Sequence, residues 1–169
     1  MILRNSIIAL FLTIFLCSCS STKPLVWKDR DVSFAKFNGF QILPVYNATG
    51  NPVDHDLLSF LSAEIRAQFQ KENLQLIDAP QTGIGILTVK NEILIYENNR
   101  ILRNSIVGAK RRAKCTLRTR LVDKSTDQVV GEISVTTLAG TGVFPESNAN
   151  VWVLKESAIL VAREVAKMM

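Results

Sequence analysis

The sequence predicts an α+β domain, with two helices packed on a largely antiparallel sheet of about five strands in the order β-α-β-β-β-β-α. Three observations carry this. Apolar residues recur at helical spacing near 57–69 and again near 151–165, whereas 84–96, 113–121 and 129–135 alternate apolar and polar with a period of two. Turn residues separate these runs, and no repeat or low-complexity tract interrupts them.

Phe40 to Tyr46 reads as the first strand, closed by the turn Asn47 to Asn51. Asn51-Pro52-Val53-Asp54 then reads as a helix start: Asn51 as cap, Pro52 at the first helical position, Asp54 as a carboxylate favoured by the helix dipole. Leu57, Leu58, Leu61, Ile65 and Phe69 form its apolar stripe, and Asn73 ends it in a left-handed conformation. Leu74 to Ile77 is expected as a second strand before the turn at Pro80.

From Ile84 to Tyr96, Leu87, Val89, Ile93 and Ile95 fall on one face and Thr88, Lys90 and Glu92 on the other, so one side is buried and the other wet. Ala113, Cys115, Leu117 and Leu121 alternate with Lys114, Thr116, Arg118 and Arg120 in the same way. After the turn Asp123 to Asp127, Val129, Ile133 and Val135 return with Glu132 and Ser134 facing out. If Leu117 and Leu121 share the core with Val129 and Ile133, Glu132 lies opposite Arg118 or Arg120, an ion pair on the wet face. The last element is a helix over about 150–167, with Val151, Leu154, Ala158, Val161 and Val165 as its stripe and Ser147 or Asn148 as its cap.

The chain has 169 residues, 47 % of them apolar, with a formal charge of +5. Thirteen of the first eighteen are apolar, so the remainder runs at about 44 %, an ordinary globular composition. Arg4 and the run Ile7 to Leu16 give the pattern of an export signal, because a spanning helix needs about 20 apolar residues and this run stops at Ser18. Leu16-Cys17-Ser18-Cys19 resembles the bacterial lipobox, with Leu16 three residues before the modified position and the small Ser18 just before it. The resemblance implies cleavage between Ser18 and Cys19, and a diacylglyceryl thioether with an N-acyl chain on Cys19. Only the cysteine sulfur is nucleophilic enough to take that group. One acyl chain binds a bilayer marginally, so a residue bearing two or three makes the anchor durable.

Ser20 stands where inner-membrane retention would require aspartate, which implies an outer-membrane anchor with the domain facing the periplasm. The organisation expected is a signal over 1–18, a lipidated cysteine and flexible tether over 19–33, and one domain over 34–169. Removing Arg4 brings the charge to +4. Cys115 is left without a partner thiol, so no disulfide framework is possible and the residue reads as a small buried hydrophobe.

Ile42-Leu43-Pro44-Val45-Tyr46-Asn47-Ala48-Thr49-Gly50 resembles the first strand of bacterial lipoproteins whose domain is like the N-terminal domain of TolB. CsgG-like and LpoB-like lipoproteins have related folds. The Leu74 to Asp78 segment and the hairpin from Leu121 to Val130 match as well, except that Asp127 stands where such families place glycine. The resemblance covers most of 36–168. It implies a non-catalytic envelope lipoprotein that binds other envelope proteins or assembles with itself. A CsgG-like pore does not fit, since each membrane strand needs about 9–11 alternating residues and Asn98 to Gly108 is irregular.

Catalytic and metal chemistry find little support. Asp54-His55-Asp56 surrounds the only histidine, but consecutive side chains in a helical turn diverge, so no metal site or catalytic constellation is expected there and no cofactor is implied. Thr82-Gly83-Ile84-Gly85 precedes a strand, the wrong context for a dinucleotide loop. The strongest charge feature is Lys110, Arg111, Arg112 and Lys114, extended by Arg118 and Arg120 and preceded by the apolar Ile101, Leu102, Ile106 and Val107. These residues form the candidate partner surface. An exported protein has no access to nucleic acid, so an acidic envelope partner or anionic lipid is the class that fits. A strand face merely paired with Glu92 and Glu132 accounts for the same charges. The alternatives to a binding or assembly module are a periplasmic enzyme or small-ligand carrier, marked by a deep polar pocket, and a self-assembling ring component.

Overall fold

The computed structural model describes residues 23–77, 85–97, 113–139 and 146–169, with side chains in the last stretch from 149 onward. In chain order it contains β1 (Leu25–Lys28), a 3-10 turn (Phe34–Lys36), β2 (Gly39–Ile42), β3 (Tyr46–Asn47), α1 (His55–Lys71), β4 (Ile86–Glu97), β5 (Ala113–Asp123), β6 (Gln128–Ala139) and α2 (Glu146–Met168). The class is α+β with two helices, as expected, but the sheet has six strands and is mixed. Its order is β1-β6-β5-β4-β2, with β3 also on β4. The pairs β1·β6, β6·β5 and β5·β4 are antiparallel, whereas β2 and β3 run parallel to β4.

The expected first strand is broken in two. Leu43 N–H still donates to the Val89 carbonyl at 3.1 Å, but Pro44 has no N–H to give a ladder and the chain then turns to the helix: Val45 N–H donates to Ser62 Oγ at 3.0 Å, while Arg66 donates to the Ile42 carbonyl at 2.9 Å. Helix α1 starts three residues later than its sequence signal, with Asp54 rather than Asn51 as cap, accepting from the Asp56 N–H at 3.0 Å. Asn51 is already committed to the preceding turn. Its carbonyl accepts from Asn47 Nδ2 at 2.7 Å and its N–H donates to Thr49 Oγ1 at 3.1 Å. The other end fits the expectation, because Asn73 adopts φ +60°, with Leu74 N–H bonded to the Phe69 carbonyl and Asn73 N–H to that of Gln70. This is a Schellman closure with asparagine in the left-handed position.

Two sequence expectations for strands fail. Leu74 to Ile77 makes only an isolated parallel bridge, Phe40 to Leu76, held by Phe40 N–H to the Gln75 carbonyl and Ile77 N–H to the Phe40 carbonyl, both at 2.9 Å. Gly39 allows this approach, since a Cβ there would overlap the Ile77 side chain. Conversely, Leu25–Lys28 lies within the stretch expected as a tether and is instead an edge strand on β6.

The core lies between the sheet and the helices. Leu61, Ile65 and Phe69 of α1 and Val153, Leu154, Ala158, Val161, Ala162 and Val165 of α2 are buried against Leu87, Val89, Ile93, Leu117, Leu121, Ile133 and Val135. Val151, expected in the stripe of α2, is 41 % exposed, and Val153 takes its place. The helix begins at Glu146, so Ser147 and Asn148 lie inside it rather than capping it. Two bulges shift the alternation. In β4 the register slips between Ile93 and Ile95, turning Ile95 outward; between Leu121 and Val122 it slips again, so Val130 is buried and Val129 is exposed, opposite to expectation.

Candidate functional site

The face of the sheet away from the helices carries the described part of the basic patch. Register aligns Leu25, Ser134, Arg118, Glu92 and Tyr46 in one row across five strands, and Trp27, Glu132, Arg120 and Lys90 in the next. Paired residues share a face, so these side chains project together. Glu132 does lie opposite Arg120.

Glu92 is the hub. It accepts from Arg118 Nε at 3.0 Å and from Arg118 Nη2, and from Arg120 Nη2 at 2.8 Å to one oxygen and 2.9 Å to the other. Arg120 also approaches Glu132 at 4.0 Å, and Lys90 approaches Asp127 at 3.9 Å. Partial burial would raise the Glu92 pKa, but hydrogen bonds from Arg118 and Arg120, together with their charges, hold it below the usual carboxylate range. Each arginine side chain keeps about a third of its surface in water, at 31 % and 32 %. The face is therefore an ordered, largely paired charge array with donors still open to a ligand or partner. Lys114, from the same run, lies opposite Glu97 and Leu138. Ile101, Leu102, Ile106, Val107, Lys110, Arg111 and Arg112 lie outside the described residues, as do Ser18 and Cys19.

A second charged knot is architectural. Asp123, buried at the end of β5, accepts from Lys36 Nζ at 3.1 Å, Ser125 N–H at 2.9 Å and Ser125 Oγ at 2.6 Å. Burial works against its charge, yet the Ser125 hydrogen bonds and the Lys36 ammonium hold its pKa below the usual value. The knot ties the 3-10 turn to the β5–β6 hairpin, where Asp127 adopts φ +55°. That left-handed conformation is one that glycine takes freely and that aspartate takes here.

The core face carries polar groups that sequence reading passed over. Thr119 donates to Asn91 Oδ1 at 2.7 Å, and the Thr137 hydroxyl bonds the Val153 carbonyl at 2.9 Å and Ser157 Oγ at 2.8 Å. Their signal was phase: Asn91 falls in step with Leu87, Val89 and Ile93, and Thr119 with Leu117 and Leu121. Burial pushes the Cys115 thiol up to about 11 and, with the Cys115 and Asp54 charges, the Tyr96 phenol up to about 12. Both stay protonated near neutral pH. Among the described residues, no three His, Cys, Asp or Glu side chains gather for a metal ion, and no helix is long and apolar enough to cross a membrane. Asp54 is engaged in capping, and His55 Nδ1 pairs with Ser59 Oγ at 3.4 Å.

The other unforeseen feature is the edge strand. Leu25 is 75 % exposed, Val26 44 % and Trp27 51 %; Leu25 and Trp27 stand at the rim of the charged face, and Val26, paired with Ile133, stands on the helix side of the same edge. Their signal was an apolar triplet inside a polar segment.

No family model matches the chain, and no curated protein matches it. Solved structures do. The PelC dodecamer from Paraburkholderia phytofirmans aligns at 10 % identity and a TM-score of 0.55, over 85 % of this chain and 98 % of that one. A DUF330 protein from Xanthomonas campestris aligns at 11 % and 0.56, over 85 % and 91 %. A minor lipoprotein from Acinetobacter baumannii aligns at 13 % and 0.51, over 78 % and 94 %. At these identities the likeness concerns the fold, and the fold is one that bacterial lipoproteins use.

Proposed function

We propose that this chain is a lipid-anchored lipoprotein of the bacterial outer membrane, facing the periplasm, that acts as a non-catalytic binding or assembly module. The observation that carries the reading is the junction of two features: a lipobox-like Leu16-Cys17-Ser18-Cys19 directly preceding a domain with a lipoprotein fold. The finer placement among TolB-like, CsgG-like or LpoB-like families rests on the first-strand and hairpin motifs. Support for binding rather than catalysis comes from the sites themselves. The titratable groups of the open face are paired into an array suited to recognition, and the buried thiol and phenol are held protonated.

The working surface is the segment 98–120, in which Arg118 and Arg120 stand on the open face, and the partner is an acidic envelope protein or a second copy of the chain. Mass spectrometry of the mature N-terminus tests the anchor: a diacylglyceryl-modified Cys19 is expected, and an intact Met1 overturns it. Crosslinking in intact cells tests the surface. Charge reversal at Arg111, Arg112 and Lys114 is expected to abolish the crosslinked species, and an unchanged pattern removes this segment from the interface. The fold neighbour described as a dodecamer gives a second arm, since a single-subunit mass in detergent discards self-assembly.

A further inference from the structure

We infer that the free edge of the sheet, strand β1 with its flanking cations, rests on the headgroup layer of the membrane that holds the lipid. The inference rests on the reading of Cys19 as the anchor.

Chain length supplies the first constraint. Only residues 20–24 separate Cys19 from Leu25, so the start of β1 lies within about 20 Å of the modified cysteine even when the connection is fully extended. Pro24 removes some of the remaining freedom. An anchor this close brings the nearest edge of the domain to the bilayer before any other surface.

The chemistry of that edge suits the place. Leu25, Val26 and Trp27 are exposed large hydrophobic residues gathered on one edge strand, Leu25 and Trp27 toward the open face and Val26 toward the helix side, whereas Tyr46, Ile95, Val129, Val151 and Met169 are dispersed. Lys23, Lys28 and Arg30 flank them, are exposed, and have no ion pair among the described residues. A tryptophan beside lysine and arginine is the composition that settles at a membrane–water boundary. Backbone geometry limits the depth. Asp29 N–H donates to the Val130 carbonyl at 2.9 Å, so by antiparallel alternation Leu25 and Trp27 bond inward to β6, while the amides of Val26 and Lys28 point away from the sheet. Unpaired amides need polar partners, which headgroups and interfacial water supply and the hydrocarbon interior does not. The opposite edge, at β3, then stands about 19 Å farther from the bilayer at ordinary strand spacing. The Glu92–Arg118–Arg120 array faces sideways, open to a partner in the periplasm.

Trp27 is its own reporter. The chain has two tryptophans, and the Trp152→Phe variant leaves Trp27 alone. The lipidated mature protein, residues 19–169, is reconstituted into vesicles of phosphatidylethanolamine and phosphatidylglycerol, and Cys19 modification is confirmed by mass on the same sample. The expected result is a blue-shifted Trp27 emission, a several-fold loss of iodide quenching, and strong quenching by lipids nitroxide-labelled at the headgroup. Leu25→Asp combined with Lys28→Glu should restore iodide quenching without altering the thermal melt, since both side chains are exposed. Full iodide access with Cys19 lipidated overturns the docking and leaves the anchor intact; an unmodified Cys19 overturns the anchor itself. Shielding that rises with protein density and is insensitive to labelled lipid means that a second copy covers the edge, and also overturns the docking.

Discussion

On the helix-covered face of the sheet, Leu87, Val89, Ile93, Leu117, Leu121, Ile133 and Val135 are completely buried. On the opposite face of the same strands, Arg118, Arg120 and Glu132 are roughly a third or more exposed, and Glu92 is a fifth exposed. One backbone thus serves two environments, and the division of labour follows from solvent. Where water is excluded, each methylene and each hydrogen bond weighs on stability, and substitutions are costly. Where water remains, ion pairs contribute little, so the composition of that face is open to be set by recognition.

Substitutions graded by face test this division. Phe69→Ala, which removes a ring packed edge-on to Phe40 at 5.6 Å, is expected to cost about 3–5 kcal/mol, read from the urea midpoint. Thr137→Val keeps the shape but deletes the hydroxyl shared with Ser157 and the Val153 carbonyl, and is expected to cost about 1–2 kcal/mol. A cost above that of Phe69→Ala would mean that the polar pair, rather than apolar packing, governs how α2 seats on the sheet. Glu92→Gln on the open face is expected to cost about 1 kcal/mol at neutral pH, discounted because both arginine side chains are about a third exposed.

The Glu92 variant also has a pH signature. Glu92 is held below its ordinary pKa in the folded state, so the unfolded chain binds its proton more readily. Its contribution is complete above the ordinary glutamate value of about 4.3 and is lost as pH falls through the lowered folded value. Asp123 behaves in the same sense. Denaturation midpoints of the parent protein should therefore fall on acidification below this range, and Glu92→Gln should flatten part of the slope while Asp123 maintains the rest. An identical slope in the variant would show that the array does not hold Glu92 ionised.

The smallest effect is expected at the hairpin. Asp127→Gly relieves a left-handed φ of +55° and surrenders only a loose 3.9 Å approach to Lys90, so a change within about 0.5 kcal/mol is expected by thermal melt.

Both helices, the three long strands and the pairing of Glu132 with Arg120 were readable because each depends on a periodicity that the chain maintains for ten residues or more. What escaped was short or depended on neighbours distant in sequence. Strand β1 has four residues, all exposed, so it shows no alternation. The bulges that turn Ile95 and Val129 outward leave no local trace, because an extra residue in one strand has meaning only against its partner. Asn51 looked like a cap until the turn from Asn47 claimed it. At the candidate site, the charges of Arg118 and Arg120 were evident, but their convergence on Glu92 needed β4 to lie beside β5.

The placement of β1 six residues after Cys19 has a kinetic meaning. With Cys19 as the proposed anchor, a surface tethered so briefly would meet the bilayer at an effective concentration on the order of millimolar, so a contact far too weak to recruit the free domain would still be occupied most of the time. Such a contact also opens quickly. On the proposed reading the anchor would supply residence and leave the edge strand to set orientation, so that the domain could turn toward a partner and settle again without leaving the membrane.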